Sequence, residues 1–229
     1  MIGKLVLLRH AHSYGNFIYK GREFLETDDE VAEISKYTDA TIPLSQEGLA
    51  QAQDTAKELA DLNYYDFRLI FHSGFTRSRH TAQIIHSKFP SAIIKENSLI
   101  RERCYGYLTF MNKDVINKSF PFLSDYLATV GTFYAYLPGG ESMYSVIDRA
   151  KFFLGSILHK TEFSGQDVLV VGHGQSIFAM KGVLCGWSLE QYEECWSTDR
   201  LSNCGAHIFE RSVDFRRLNF VETIRPAKL

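Results

Sequence analysis

The chain has 229 residues, 45% hydrophobic and 23% charged, with 25 Lys plus Arg against 27 Asp plus Glu. A formal charge of -2 leaves no footprint for nucleic acid or an anionic membrane, so any positive patch must be local and sized for a small anion. The cysteines, Cys104, Cys185, Cys195 and Cys204, show no C-x-x-C spacing, which argues against zinc and a disulfide scaffold and makes a reducing cytoplasm the expected setting.

The start, MIGKLVLLRHAHS, carries an apolar run at 5–8 that is too short for a signal-peptide core and reads as a first strand delivering Arg9 and His10. Residues 17–41 are polar, acidic in the middle, and read as an insertion covering a site at the sheet edge. Pro43 and a Ser45 cap open a helical pattern over 45–62, with Leu49, Ala52, Ala56, Leu59 and Ala60 on one face. A second strand at 68–72 leads into a helix carrying Arg77, and a third strand falls at 92–95.

Residues 107–136 form a second, aromatic-rich insertion. Within and just beyond it, 120–137 is long and weakly charged, but Asp125 and Gly131 interrupt it, so it predicts a buried or lid-forming segment rather than a membrane span. The turn PGGES and a capping Ser142 start a helix over 142–158, with Met143, Val146, Ile147, Ala150, Phe153, Leu154, Ile157 and Leu158 on one face. A fourth strand at 168–171 ends at His173 and Gly174, which open a further helix. A fifth strand at 206–209 alternates less clearly and is expected at an edge; the other four lack alternation, as strands covered on both faces do. Strands alternating with helices predict one α/β domain over residues 1–229, three-layered with a mainly parallel sheet.

In such sheets ligands bind outside the carboxyl ends of the strands. Arg9, His10, Arg77 and His173 all follow strands, and His173 and Gly174 add a helix N-terminus that favours an anion. A neutral imidazole can attack phosphorus through one ring nitrogen if a bond at the other fixes its tautomer. Guanidinium forks match phosphoryl oxygens. Phosphoryl transfer is the leading reading. His72, His86, His159 and His207 read as structural or solvent-facing, Arg79 and His80 as helix surface.

The segments LLRHAHSYGN, PLSQEGLAQAQ, HSGFTRSRHTA, LIRERCYG, PGGES and VVGHG resemble, in this order, the motifs of the histidine phosphatase superfamily, which includes cofactor-dependent phosphoglycerate mutases. The resemblance implies that His10 is a nucleophile forming phosphohistidine, with Arg9, Arg77, His173 and Gly174 around the phosphate. It places Asn16 at a phosphoryl contact and Glu102 as the acid for the leaving group, then the base for water. It implies no metal and no cofactor, because arginines and histidines supply the positive charge that Mg²⁺ supplies elsewhere.

The sequence departs from the family's R-H-G-[EQ] at Ala11 and His12; alanine fits there if the backbone avoids positive φ. RERCYGYLTFMNK resembles the mutase substrate loop, which implies substrate contacts for Tyr105 and Lys113. Mutases then supply an adjacent arginine pair for the substrate carboxylate. Counting forward lands near Thr129 and Val130, and no arginine lies between Arg103 and Arg149. Losing two charge-assisted bonds, roughly 1.5–3 kcal/mol each, favours release to water. The expected protein is therefore a metal-independent phosphatase of a small phosphorylated substrate, with a phosphoglycerate mutase or a non-catalytic phospho-ligand-binding protein as alternatives. Phe120, Phe122, Tyr126, Phe133, Tyr134 and Tyr136 predict a less polar leaving group. Nothing in the sequence chooses between a monomer and a homodimer.

Overall fold

The computed structural model describes residues 2–62, 64–131, 133–158, 160–213 and 217–224. Strands β1 (Lys4–Arg9), β2 (Phe67–His72), β3 (Ile93–Glu96), β4 (Asp167–Gly172), β5 (Ala206–Arg211) and β6 (Leu218–Ile224) form one sheet in the order β3-β2-β4-β1-β5-β6. The first four in that order run parallel; β5 and β6 run antiparallel to their neighbours.

The α/β class and the mainly parallel sheet are as expected. The side chains of β1 explain the layering: Leu5 and Leu7 enter one core and Val6 and Leu8 the other, because successive residues of a strand point to opposite faces. The first core is filled by helices α7 (Met143–Leu158) and α8 (Gly174–Cys185). The second is filled from α3 (Gln46–Asp61) and α4 (Thr76–His86), through Ala56, Leu59, Ala82 and Ile85. Ser45 caps α3 by accepting from the Gly48 N–H at 3.0 Å, and Ser142 accepts from the Ser145 N–H at 3.1 Å.

Two strand expectations need correction. The third strand is not covered on both faces: β3 is an outer strand and Ile93 is 59% exposed. The fifth is not at an edge, because β6 pairs along its far side.

The segment 17–41 holds the end of α1 (Tyr14–Tyr19) and α2 (Asp28–Ile34), whose Thr27 and Glu30 form a reciprocal capping box. The segment 107–136 holds α5 (Lys113–Ser119) and α6 (Leu123–Val130). A last helix, α9 (Leu189–Cys195), precedes the loop leading to β5. Among the described residues no helix is long and apolar enough to cross a membrane.

Candidate active site

Strand register brings the distant motifs together. Arg9 pairs with Gly172 across β1 and β4, and the His10 N–H donates to Gly172 O at 3.0 Å. His10 and His173 therefore leave adjacent strands side by side, their rings 5.0 Å apart between centroids and inclined by 64°. β2 ends next to β4, with His72 opposite Val171, so Ser73 lies at the same edge.

The hydrogen bonds fix both imidazoles. His10 Nδ1 stands 2.7 Å from Ala11 O; a carbonyl only accepts, so the proton is on Nδ1 and Nε2 keeps its lone pair. Ser73 Oγ lies 2.7 Å from His173 Nε2 and also accepts from the Phe75 N–H at 3.3 Å. A hydroxyl has two lone pairs, so Ser73 Oγ can also accept from Nε2–H, and this bond orients the His173 ring under either tautomer. His173 Nδ1 and Arg9 Nε are buried and find no hydrogen-bond partner among the described residues. Unpaired buried polar groups cost about 1–3 kcal/mol each, and of these two the Arg9 Nε–H is a donor suited to an anion.

Burial, reinforced by the Arg77 and Arg9 charges, holds His10 well below the ordinary histidine range. Burial and the charges of Arg77, His10 and Arg9 lower His173 likewise. Arg9 donates to Leu201 O at 2.7 Å and is itself lowered by burial. Arg77 opens α4, stacks over Phe75 with 4.9 Å from Cζ to the ring centroid, and pairs with Asp39 Oδ1 at 3.0 Å.

Glu102 accepts from the N–H groups of Arg103 and Gln175 at 3.0 and 3.1 Å, which places it at the N-terminus of α8. Burial raises its carboxyl; the Arg103 N–H and then Arg77, Arg9 and Arg149 pull it back, and burial prevails. Asn16 Oδ1 accepts from the Ser13 N–H, the Ser13 hydroxyl and Asn203 Nδ2 at 3.0, 2.9 and 3.2 Å. Only the amide donors of Asn16 are left to offer a ligand.

Arg9, His10, Asn16, Arg77, Glu102, Tyr105 and Gly174 line one cavity of about 430 Å³, within the range that holds a small molecule. His173 stands behind His10, fully buried. Tyr105 accepts from Gln175 Nε2 at 2.8 Å, and burial pushes its hydroxyl up to about 12.

Lys113 is not brought there: it is exposed on the first turn of α5, outside the lining. The aromatic run 120–136 is not there either. Phe133 packs in a core beside α7, and the aromatic walls are Tyr19, Tyr105, Phe110, Phe178 and Trp196. The cavity does contain arginines from elsewhere in the chain, Arg22, Arg103 and Arg200. Arg22 is engaged by Glu26 and Glu30 at 2.5 and 2.6 Å.

Ala11 avoids positive φ, since the described non-glycine residues with positive φ are Lys20, Phe110 and Cys204. His12 ties the loop bearing His10 to α3: its Nδ1 lies 2.8 Å from Ser45 Oγ, and its N–H donates to Gln51 Oε1 at 2.9 Å. His72, His86 and His207 lie outside the lining and have hydrogen-bond neighbours of their own. His159 falls outside the described residues.

Asn203 escapes the sequence reading. Its Nδ2 donates to His10 O at 2.9 Å as well as to Asn16 Oδ1 at 3.2 Å, joining the two residues. The rule of inspecting residues after strands passes over it, because β5 is antiparallel and its start lies at the edge where β1 and β4 end. The available signal was the turn-rich S-N-C-G before that strand.

The histidine phosphatase superfamily (branch 1) profile matches residues 5–221. The chain belongs to this superfamily. It is 31% identical over 180 residues to a 2,3-bisphosphoglycerate-dependent phosphoglycerate mutase of Rhizobium etli, covering 77% of this chain and 78% of that one. It is 29% identical over 219 residues to phosphoserine phosphatase 1 of Hydrogenobacter thermophilus, covering 94% and 92%. In fold it is similar to a mycobacterial glucosyl-3-phosphoglycerate phosphatase, with TM-score 0.70, 20% identity and 96% of both chains covered. Superfamily members of both kinds, mutases and phosphatases, are thus among its relatives.

Proposed function

We propose that this histidine phosphatase-superfamily protein hydrolyses a small phosphomonoester through phosphohistidine at His10, without a metal, in the cytoplasm. The observation that carries the reading is the His10 ring: Nδ1 is committed to Ala11 O, so a neutral Nε2 lone pair stands among cations that draw in and polarise a phosphoryl group. Nε2 bonds to phosphorus as the P–O ester bond breaks, and the Glu102 proton goes to the leaving oxygen, releasing an alcohol. Glu102, now a carboxylate, takes a proton from water; the hydroxide attacks phosphorus, the P–N bond breaks, and phosphate leaves with His10 restored.

Arg9 and Arg77 stabilise the phosphoryl oxygens, with His173 beside the His10 ring. Water as acceptor is supported by the missing arginine pair: Thr129 and Val130 close α6 and neither lines the cavity. The free state of all four cysteines agrees with a reducing compartment. Hydrolysis of p-nitrophenyl phosphate in EDTA, with an acid-labile phosphoprotein that disappears in His10→Ala, is the expected result. Absent hydrolysis, or hydrolysis surviving that substitution, overturns the mechanism.

The second reading, a phosphoglycerate mutase, is favoured by the Rhizobium relative. A coupled assay of phosphoglycerate interconversion, with and without bisphosphoglycerate, separates the two, and isomerisation exceeding hydrolysis would select the mutase.

A further inference from the structure

Glu102 lies on an irregular segment between a single turn at Ser98–Ile100 and another at Gly106–Leu108. A general acid on such a segment needs an external support, because transfer to a leaving oxygen tolerates little misplacement. Arg149, on α7, provides one. Its Nη1 donates to Leu99 O at 2.7 Å and Arg101 O at 2.6 Å, and its Nη2 donates to Glu102 O at 3.1 Å. The remaining donors go to Glu141: Nε to Oε1 at 2.9 Å and Nη2 to Oε2 at 3.1 Å. All five N–H donors of a guanidinium are thereby spent on the acid's segment or on Glu141.

Glu141 holds the other side of the same segment. Its Oε2 accepts from the Cys104 N–H at 2.9 Å, its carbonyl accepts from Arg103 Nε at 2.8 Å, and its N–H donates to Cys104 O at 2.9 Å. A glycine on each facing segment, Gly140 and Gly106, permits this approach. A Cβ on Gly140 would stand 2.5 Å from Cys104 O, and one on Gly106, at φ +57°, 2.2 Å from Pro138 O. Neither Arg149 nor Glu141 lines the cavity, so neither touches substrate.

We propose that the Glu141–Arg149 pair is the positioning device for the leaving-group acid, and that it governs which esters the enzyme cleaves by how much proton donation their alcohol needs. The inference rests on the reading of Glu102 as that acid. A lysine cannot take over, since one ammonium with three donors cannot span carbonyls 99, 101 and 102 and a bidentate carboxylate together.

The test compares kcat/KM, which reports phosphohistidine formation, for p-nitrophenyl phosphate and glycerol 2-phosphate in wild type, Arg149→Lys, Glu141→Gln and Glu102→Gln. The nitrophenolate leaves with little help, whereas the alkoxide requires the proton. Arg149→Lys is expected to lose about 10²-fold on the alkyl ester, within the range of general acid catalysis, while staying within about threefold on the aryl ester. Glu141→Gln should follow in the same direction with a smaller loss, and thermal melting should show both variants folded. Equal losses on the two esters, or alkyl activity kept by both folded variants, would overturn the positioning role. Should Arg149→Lys fail to fold, Glu141→Gln decides by the same two criteria. If Glu102→Gln itself fails to discriminate between the esters, the acid assignment falls and this inference with it. If Glu102→Gln discriminates and the pair variants do not, the positioning role alone falls.

Discussion

At the end of the cavity proposed for the phosphate, Arg9 and His10 line the wall and His173 stands behind it, all carried by two adjacent strands whose register sets their spacing. At the alcohol end, Tyr19, Phe110, Trp196 and Arg200 come from the segments 17–41 and 107–136 and from the loop after α9. The first region is fixed by backbone pairing deep in the sheet, the second by small satellite clusters around Leu25 and Leu108 and, at Trp196, by packing against the main core. Chemistry placed on paired strands has little freedom to drift. Recognition placed on inserted segments varies without disturbing it, which accords with relatives that share the scaffold and differ in their named substrates.

Substitutions in the two regions are expected to differ in the size and kind of their effects. At the strand ends, His10→Ala should abolish hydrolysis of every ester, by at least about 10⁴-fold as for other lost nucleophiles, and remove the acid-labile phosphate; a residual rate dependent on the alcohol would contradict it. Next in size, Glu102→Gln should cost about 10²–10⁴-fold on alkyl esters. The pH profile of kcat/KM checks the same pair. On the acid side the rate falls as His10 gains a proton, below the usual histidine range because its value is lowered. On the alkaline side it falls as Glu102 loses its proton, above the usual carboxylate range because its value is raised. Glu102→Gln should erase only the alkaline limb.

A smaller effect crosses the boundary between the regions. Asp39, from the segment 17–41, occupies the Arg77 fork that a phosphate would use, so Asp39→Asn should tighten binding of inorganic phosphate or vanadate. The gain should be up to about 10-fold, one charge-assisted bond's worth, measurable by calorimetry; weaker binding would mean that Asp39 orients Arg77 rather than competing for it. The smallest change is expected at Arg200, which is exposed beside an Asp199 already paired with Lys181 at 2.8 Å. Arg200→Met should raise KM by about 2–5-fold, the scale of an exposed ion pair, for esters whose alcohol carries a carboxylate, and leave uncharged esters unaffected.

The phosphate end was legible in the sequence for a physical reason. Buried parallel strands are short unalternating apolar runs, and the residues just past them face ligand, so Arg9, His10, Arg77 and His173 announce themselves. Asn203 did not, because it precedes an antiparallel strand. β6 was passed over because its exposed Phe220 and Val221 blur the pattern of a half-buried strand. The helix α2 carries a readable Thr27–Glu30 capping box within the polar insertion at 17–41, which the hydrophobic pattern alone does not mark as helical. Lys113 was misplaced because α5 turns away from the cavity, and motif spacing does not transmit through a divergent loop. The Arg149 support could not be seen at all: all five of its bonds reach across 47 to 50 residues or to a carboxylate eight positions away.

The Asn203 bond to His10 O spans 193 positions, and the loop bearing it leads into β5, which pairs with β1 through residues 206–210. On a chain emerging from the ribosome, His10, the proposed nucleophile, is therefore made almost first and secured almost last. Loop closure of that length is slow to form, and until it forms the first strand has an unpaired flank where β5 belongs. The enzyme's chemistry thus matures with its last long-range pairing, and a refolding assay should see hydrolysis appear with that pairing rather than with the bulk of the secondary structure.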